Sequence, residues 1–378
     1  MKKLLNNYKF PLFSFLFWRL ALFAVLFLAV NFVPLQANFL GGGKNNYQAK
    51  PYFWSWVNFD GEHYLSISQN GYKNLQYFYF PLYPKIVSFI SNLLPKSLGN
   101  IAFTGLVVSN LAFLVALIGL WKLIKLEFDE KTAKLTIVLL LAFPTAFYFA
   151  AFYTESLFLL LSVWSFYFFR KQKYLLAGIF GGLLSATRIV GLSLFPSLFF
   201  DFLKKKDPRY LVTLFLIPLG LGIYMIYLYR ITGDPINFLN TISIFGDQRS
   251  ASLIFLPQVF YRYIFKILPN LSWGYFPVVF TTVLEFGIAN LFLLLIIVSF
   301  KKVRLDYVVF SFLTYLIPTF SGSFSSMPRY VLAAFPLFMM MTIYLIRWPK
   351  YLSYLVVALL ILLQAVSLSL FARGFWLS

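Results

Sequence analysis

The stretch LFSFLFWRLALFAVLFLAVNFV, residues 12–33, contains a single charged side chain, Arg19. A helix that crosses a bilayer needs about 20 predominantly apolar residues, so this stretch is long enough to cross once. It is also longer than the apolar part of a signal peptide, roughly 7–15 residues, and no clear cleavage site follows. We therefore predict a retained first membrane helix behind a basic segment with Lys2, Lys3 and Lys9, and we expect Arg19 to snorkel towards that basic end.

The composition of the chain indicates a membrane protein. Of 378 residues, 61% are hydrophobic and 12% are charged, whereas soluble domains carry about 25% charged residues. So little charge cannot cover a water-facing surface, which excludes a soluble globular protein, a disordered chain and a collagen-like fibre. The absence of cysteine excludes disulfides, thiol catalysis and cysteine-bound zinc, and the single histidine, His63, excludes any site that needs two histidines from one chain.

Apolar segments of spanning length recur along the chain. They lie at about 100–121, 134–151, 153–169, 210–229, 276–299, 305–320, 330–346 and 351–371. The segment 174–200 has basic clusters on both sides, and two short helices that turn near Arg188 would keep both clusters on one side of the membrane. The pattern predicts an all-α polytopic membrane protein with about 11 transmembrane segments, folded as one domain over residues 1–378.

The 32 Lys and Arg outnumber the 12 Asp and Glu, which gives a formal net charge of +20. Such an excess can indicate nucleic-acid binding, but in polytopic membrane proteins basic residues collect in cytoplasmic loops. Most basic clusters here fall on one predicted side, so we interpret them as a topology signal with the N-terminus in the cytoplasm, and we expect no nucleic-acid partner. Six acids lie among these cations and are expected to be loop charges: Glu127, Asp129, Glu130, Asp201, Asp207 and Asp306.

Two loops on the opposite, extracytoplasmic side are long, at residues 34–99 and 230–277. Loops beyond about 12–15 residues are usually functional or disordered, and these two are too rich in aromatic residues for disorder, as in YFWSW at 52–56. Such sequence is typical of amphipathic helices at a membrane interface. The apolar segment 81–95 is too short to cross a bilayer, so we expect it at the interface as well.

The densest group of polar residues lies in the first of these loops, in WSWVNFDGEHYLSISQNGY at 54–72. On a helix, Asp60, His63 and Tyr64 share one face and Glu62 points away. A carboxylate at a dry membrane edge tends to have a raised pKa, which suits a general base that works near neutral pH. Asp60 is therefore the main catalytic candidate, and the alternative is that it caps a short interfacial helix.

Five more charged residues need an explanation. A charge as deep as Arg188 is costly and is usually functional or paired, so this residue belongs either to a site or to a structural ion pair. Glu155 is either a site residue or a first-turn acid that complements a helix dipole. Arg329 is either a loop charge or a phosphate ligand, because guanidinium offers a planar fork of donors. We expect a buried hydrogen-bonding role for Glu285, and Asp247 falls in the second long loop.

Five sequence segments, in this order, resemble those of one enzyme family. They are FDGEHYLSISQNGY at 59–72, FYFPLYP at 78–84, FPTAFYFAAFYTESLF at 143–158, ATRIVGL at 186–192 and MPRYVLAAFPLF at 327–338. The chain thus resembles the second mannosyltransferase of GPI-anchor assembly and its prokaryotic relatives over about residues 54–340. It departs from that family's pattern at Ser68, where alanine is usual, and at Glu62, an uncommon second acid.

That family is similar to the GT-C glycosyltransferases, which are integral membrane enzymes. The resemblance implies a GT-C-like bundle, a polyprenyl-phosphate mannose donor, a lipid-linked or glycan acceptor, and an active site on the extracytoplasmic face. It implies a catalytic role for Asp60, beside Glu62 and His63. The residues expected to bind the donor phosphate or the substrates are Tyr64, Tyr153, Glu155, Arg188, Arg329 and Tyr330.

We expect inverting transfer in contact with membrane lipids, and the short, lysine-rich chain is typical of a prokaryotic cell membrane. Asp60 and Glu62 are spaced to hold a divalent cation through oxygen ligands. Because arginines alone can serve a phosphate leaving group, no cofactor is firmly expected.

Two other classes of function stay open at this point. A transporter or lipid flippase would use Arg188, Glu155 and Glu285 as a charged relay near the bilayer midplane, although no internal repeat is visible. A non-catalytic scaffold subunit would tolerate the loss of Asp60.

Overall fold

The computed structural model of the protein describes residues 7–36, 41–240 and 253–377. Within these ranges the regular structure is helical and contains no strand, which confirms the predicted all-α class. Lys2, Lys3 and Asp247 lie outside the described residues.

The described chain consists of α-helices joined by shorter turns and loops. The α-helices, in chain order, are α1 (Lys9–Phe32), α2 (Lys44–Ala49), α3 (Pro51–Trp54), α4 (Asp60–Asn70), α5 (Leu82–Ser91), α6 (Leu98–Glu127), α7 (Glu130–Ala142), α8 (Glu155–Arg170), α9 (Tyr174–Ser185), α10 (Leu194–Lys205), α11 (Tyr210–Leu216), α12 (Leu219–Thr232), α13 (Asn237–Asn240), α14 (Leu256–Arg262), α15 (Phe276–Ser299), α16 (Leu305–Thr319), α17 (Met327–Tyr330), α18 (Pro336–Leu345) and α19 (Lys350–Ala372). The 3₁₀ turns are Ser55–Val57, Ala146–Ala150, Ile189–Ser193 and Val331–Ala333, and Tyr263–Ile267 is a π-helical turn.

Five helical stretches of the described chain are long and apolar enough to cross a membrane: α1, α6, α15, α19 and the continuous stretch Tyr210–Thr232 that α11 and α12 form. A sixth is present if Met327–Ala333 and Pro336–Leu345, which meet at 93°, count as one bent span. The protein is therefore an integral membrane protein. The predicted count of about 11 segments is not reached by this measure.

Two prolines explain part of that difference. Segment 134–151 divides because α7 ends two residues before Pro144, and Phe143 between them is extended, as the residue before a proline prefers to be. Segment 330–346 divides at Ala334, and Pro336 then begins α18. Segment 174–200 also consists of two helices, α9 and α10, with Arg188 in the break between them.

Helices α6 and α8 pack closely because two glycines of α6 meet large rings. A Cβ at Gly105 would collide with the ring of Phe152, and one at Gly119 would lie 2.7 Å from the indole nitrogen of Trp164. That indole also donates a hydrogen bond to the carbonyl of Val115 at 3.1 Å. A larger residue at Gly119 would push α8 away from α6, and one at Gly105 would displace the segment that leads into α8 at Glu155.

The first long loop is closed by the C-terminal part of the chain. Arg373 follows α19 and donates to the carbonyl of Val33 at 2.8 Å and to the hydroxyl of Tyr47 at 2.7 Å. The amide of Asn58 donates to the carbonyl of Phe371 at 2.9 Å. The end of α19 therefore anchors the loop at several points before Asp60.

The structure corrects the expectation for Arg19. Its guanidinium carbon lies 4.7 Å from the ring centre of Phe23 and 4.9 Å from that of Trp56. Both rings lie away from the basic N-terminal segment, so the predicted snorkelling towards that end is wrong. The aromatic faces attract the cation and draw it the other way.

A second correction concerns two acids that were expected to be loop charges. Arg170, the last residue of α8, pairs with Glu127 at 2.5 Å and with Asp306 at 2.6 Å. The hydroxyl of Tyr307 donates to Glu127 at 3.0 Å, and the side chain of Asp306 is only 2% exposed. Glu127 and Asp306 thus belong to a buried ion cluster that joins the ends of α6, α8 and α16.

Candidate active site

A cavity of about 270 Å³ lies where α4, the start of α8, the break after α9 and the bend at α17 meet. Its polar lining includes Asp60, Tyr64, Tyr79, Tyr153, Glu155, Arg188, Arg329 and Tyr330. Its apolar lining includes Phe78, Phe80, Val190, Phe238, Leu239, Ile317, Pro318 and Phe320. The cavity therefore combines a charged end with an apolar wall.

Asp60 is the first residue of α4, and its carboxylate is engaged from two sides. One oxygen accepts from Arg329 Nη1 at 2.5 Å and the other from the hydroxyl of Tyr79 at 3.1 Å. The N-cap residue of this helix is Phe59, which brings no side-chain cap. Asp60 is therefore the first helical residue and not the N-cap residue, as the alternative role would require.

The backbone in front of Asp60 is strained. Phe59 has φ 55° and ψ −119°, a conformation that residues with a side chain rarely adopt and that costs free energy wherever it is found. Asn58, which is fully buried, holds this turn: its side-chain oxygen accepts from the backbone of Gly41 and Phe59, and its carbonyl accepts from the hydroxyl of Tyr153 at 2.8 Å. Strain of this kind is concentrated at functional sites, where the surrounding structure fixes it.

A second carboxylate, Glu155, faces the same cavity from the start of α8. Its Oε1 accepts from Arg188 Nη1 at 2.7 Å and lies 3.7 Å from Arg329 Nε. The position also suits an acid, because the N-terminal end of a helix carries partial positive charge. Glu155 is thus a first-turn acid, as one of its two alternatives had it, and it also belongs to an ion pair; its role as a site residue stays a prediction.

Arg188 owes its position to the break between α9 and the following 3₁₀ turn. Its backbone is extended, with φ −162° and ψ 149°, and its carbonyl accepts from Gly191. The guanidinium lies over the ring of Tyr330, with the carbon 5.0 Å from the ring centre. The Arg188 side chain can therefore reach Glu155 and the cavity from outside any helix.

Arg329 links the two carboxylates. It pairs with Asp60 and approaches Glu155, and the rings of Tyr148 and Tyr153 lie beside it at 5.5 and 5.6 Å. Two buried atoms of this cluster, Arg329 Nε and Glu155 Oε2, have no hydrogen-bond partner among the described residues. One donor and one acceptor are thus available at the charged end of the cavity, where a ligand with hydroxyl or phosphate oxygens would satisfy them.

Glu62 and His63 are not among the residues that line the cavity in the described part of the chain. Glu62 accepts from the backbone of Gly42 at 2.7 Å; burial raises its pKa, while the N–H groups of Gly42 and Gly43 oppose the rise. The ring of His63 stacks on Tyr79 at 4.8 Å; burial lowers its pKa, while the charge of Asp60 opposes the fall. The catalytic roles expected for Glu62 and His63 stay predictions.

The carboxylates of Asp60 and Glu62 are poorly suited to share a cation. Asp60 already holds a guanidinium and a phenol, and Glu62 turns to the backbone of Gly42. Among the described residues, no group of three or more Asp, Glu, His or Cys side chains could hold a metal ion.

Sequence reasoning missed two residues of the site. Tyr79 donates to Asp60, and Asn58 holds the strained turn before it. Both stand inside segments that resemble or adjoin the family's motifs, FYFPLYP and FDGEHYLSISQNGY. Their positions in or next to these segments could have identified them, although neither a tyrosine nor an asparagine indicates a site by residue type alone.

The protein thus combines helices long enough to cross a membrane with a cavity whose charged end holds two carboxylates and two guanidinium groups. The family described as Mannosyltransferase (PIG-V) matches residues 14–230, more than half of the chain and a range that includes Asp60, Glu155 and Arg188. The chain belongs to this family, which confirms the resemblance. The family is described as one of mannosyltransferases, which favours an enzyme over a transporter or a scaffold.

Among solved structures, the chain is similar to the oligosaccharyltransferase of Archaeoglobus fulgidus tethered to an acceptor peptide that contains the NVT sequon. The TM-score is 0.45 and the identity 11% over 94% of this chain, which spans 55% of the length of that protein. No curated protein matches the chain.

Proposed function

We propose that the protein transfers a mannosyl group from a polyprenyl-phosphate donor to a hydroxyl of a lipid-linked or glycan acceptor, with inversion at the anomeric carbon and on the extracytoplasmic face of a prokaryotic membrane. The observation that carries this proposal is the contact between Asp60 and Arg329 at the charged end of an apolar-walled cavity. Transfer from a glycosyl phosphate needs a base for the acceptor hydroxyl and a donor for the leaving phosphate, and this end of the cavity holds a candidate for each. The family assignment supports the sugar.

In the proposed reaction Asp60 is the general base. The acceptor oxygen forms a bond to the anomeric carbon while its proton passes to the Asp60 carboxylate, and the bond between that carbon and the phosphate oxygen breaks on the opposite face. Ionised carboxylates have about four lone-pair positions, so Asp60 can accept from an acceptor hydroxyl in addition to Arg329 and Tyr79. General base catalysis of this kind contributes roughly 10²–10⁴-fold to a rate.

Arg329 and Arg188 would stabilise the leaving phosphate. The departing group gains negative charge as the glycosidic bond breaks, and donors fixed near that charge lower the barrier. Both guanidinium groups are already held by carboxylates and by Tyr330, so they need little rearrangement. Tyr64 and Tyr153, which line the same end, would contact the sugar.

The apolar wall would receive the first isoprene units of the donor lipid. Phe78, Phe80, Phe238 and Phe320 form much of it, and ring and alkyl surfaces of this kind bury isoprenoid chains at a gain of about 25 cal/mol per Å². A charged end joined to an apolar wall fits a lipid phosphate better than a water-soluble sugar nucleotide. The long first loop and the part of the second that contains α13 and α14 would hold the acceptor.

The test is a transfer assay with the purified protein in lipid nanodiscs. Polyprenyl-phosphate [³H]mannose is the donor, a lipid extract of the native host supplies acceptors, and label in the product lipid is measured. We expect Asp60→Asn to reduce transfer by about 10³-fold. Asp201→Asn is the matched control, because Asp201 is a carboxylate paired with Arg304 and Lys205 outside the cavity.

Two results would overturn the proposal. One is full activity in Asp60→Asn, and the other is the absence of transfer by the wild-type protein from any polyprenyl-phosphate hexose. The anomeric configuration of the product, measured by the one-bond C–H coupling at that carbon, tests inversion separately.

A further inference from the structure

Glu285 lies in the middle of α15, and its side chain is directed into the protein. The residue is only 5% exposed. One carboxylate oxygen accepts from the backbone N–H of Ser326 at 3.1 Å, and the other accepts from the hydroxyl of Tyr263 at 3.1 Å. The proposed reaction does not use this carboxylate, so its burial calls for another explanation.

Ser326 has an unfavourable backbone conformation. Its φ of 67° and ψ of 9° lie in the left-handed region, which a residue with a side chain rarely occupies without support from its surroundings. Ser326 is also the residue that precedes α17 directly. Its carbonyl accepts from the N–H groups of Arg329 at 3.0 Å and Tyr330 at 2.9 Å. The conformation of Ser326 therefore sets the turn from which the Arg329 side chain leaves.

The neighbouring chain reinforces this arrangement from the second long loop. Arg262 donates to the carbonyl of Gly322 at 3.2 Å, and the backbone of Ile254 donates to the carbonyl of Phe320 at 3.0 Å. Tyr263, which contacts Glu285, also lies 3.4 Å from the hydroxyl oxygen of Ser323. The segment in front of Arg329 is thus held at several points, and Glu285 holds the strained residue at its end.

We propose that Glu285 is a positioning residue for Arg329. By accepting from Ser326 it stabilises the left-handed turn, and the turn directs the Arg329 guanidinium against Asp60. The conformational part stands on the geometry alone, whereas the consequence for transfer rests on the proposed function, in which Arg329 binds the leaving phosphate. A misplacement of about 1 Å at such a group is enough to cost up to 10²-fold in rate.

Variants of Glu285 can be chosen by the hydrogen bonds that the new side chain is able to accept. A carboxylate can accept from the peptide N–H and from the phenol at once. In Glu285→Gln the amide oxygen still accepts from Ser326 and the amide nitrogen can donate to the Tyr263 oxygen, so the turn should persist. Glu285→Leu fills a similar volume and removes both acceptors. Thr281→Val is the matched control, because Thr281 lies one turn earlier on α15 and donates to the carbonyl of Trp376 instead.

The experiment measures transfer and phosphate binding side by side. The variants are assayed in nanodiscs with polyprenyl-phosphate [³H]mannose, and unlabelled polyprenyl phosphate is used as a competitor. We expect Glu285→Leu to lower kcat by about 10-fold or more and to weaken inhibition by polyprenyl phosphate, with the KM for the acceptor extract unchanged. Glu285→Gln should stay within about threefold of wild type, and Thr281→Val should match wild type.

A double-mutant cycle tests whether Glu285 acts through Arg329. If it does, Glu285→Leu should cause no further loss in an Arg329→Ala background, because the group that it positions is gone. A purely structural role would give the same added loss in both backgrounds. Additive losses would therefore overturn the inference, as would wild-type kcat and polyprenyl-phosphate inhibition in Glu285→Leu.

Two further results keep the test decisive. If Glu285→Leu does not fold, Tyr263→Phe removes the hydrogen bond from Tyr263 to the carboxylate and should give a smaller loss of the same kind. Unchanged inhibition in that variant would overturn the inference. If the wild type transfers no sugar, the proposed function fails, and positioning is judged on binding of polyprenyl phosphate alone, where equal affinity of wild type and Glu285→Leu would overturn it.

Discussion

Both ends of α8 hold a buried cluster of carboxylates and guanidinium groups, but the two clusters have different surroundings. At its N-terminus Glu155 pairs with Arg188 and approaches Arg329; at its C-terminus Arg170 pairs with Glu127 and Asp306. The helix has 16 residues and is therefore about 24 Å long. At each end the charge of the helix residue opposes the partial charge of the helix dipole, so both clusters help to fix the same helix.

The difference lies in what surrounds each cluster. The N-terminal cluster brings two guanidinium groups and two carboxylates to the lining of a cavity, beside a strained turn at Phe59. The C-terminal cluster joins the ends of three helices, with one guanidinium between two carboxylates. A buried ion cluster can therefore belong to a candidate active site or stabilise the fold. The two clusters differ in that only the N-terminal one lines the cavity described above.

The largest expected effect comes from Arg329. We expect Arg329→Leu to reduce transfer by about 10²–10³-fold, because the leaving phosphate loses a preorganised donor and Asp60 loses its charged partner. The measurement is the rate of labelled mannose transfer in nanodiscs, corrected for folded protein. A variant that keeps more than a third of wild-type transfer would show that the cluster at the N-terminus of α8 is not needed for the reaction.

At the other end of α8, Arg170→Leu should act on stability. Removal of one partner leaves two buried carboxylates without their guanidinium, which typically costs about 3–5 kcal/mol. We expect a clear fall in the thermal unfolding temperature in detergent, with little change in transfer per folded molecule. A variant of normal stability and impaired transfer would show that this end also takes part in the reaction.

Arg188→Lys tests whether the geometry of the guanidinium matters in addition to its charge. Lysine keeps the charge but loses the planar fork that lets Arg188 contact Glu155 and the ring of Tyr330 together. We expect transfer to fall by about 10-fold and the unfolding temperature to change little. Equal transfer by the two proteins would mean that only the charge matters at this position.

The smallest expected effect is a pH dependence of stability at His63. Burial lowers the pKa of this side chain below its ordinary value of 6.5. Between the lowered pKa and 6.5 the unfolded chain binds a proton that the folded chain does not, so stability falls as the pH drops through this window. Between pH 7.5 and 5.5 we expect the thermal unfolding temperature of His63→Gln to fall by about 1–2 °C less than that of wild type. An identical decline would show that His63 contributes nothing to the linkage.

How far the sequence predicts this molecule depends on whether the signal is local. Apolar length and proline position are local, so the bounds of α15 and the break at Arg188 follow from the sequence. The predicted number of spans stays a prediction, because prolines divide two of the apolar runs into shorter helices. Asp60 and Arg329 are 269 positions apart, and no local pattern reports that they touch. The aromatic ring of Trp56, which helps to draw Arg19 away from the basic end, comes from another segment and escapes prediction for the same reason.

The bond between Asn58 and Phe371 joins residues 313 positions apart. At about 5–20 residues per second, synthesis of the loop that carries Asp60 precedes that of its partner in α19 by roughly 15–60 s. The early helices can enter the bilayer during this interval, but the turn before Asp60 still lacks one of its anchors. Assembly of the site therefore cannot be complete before α19 has been made.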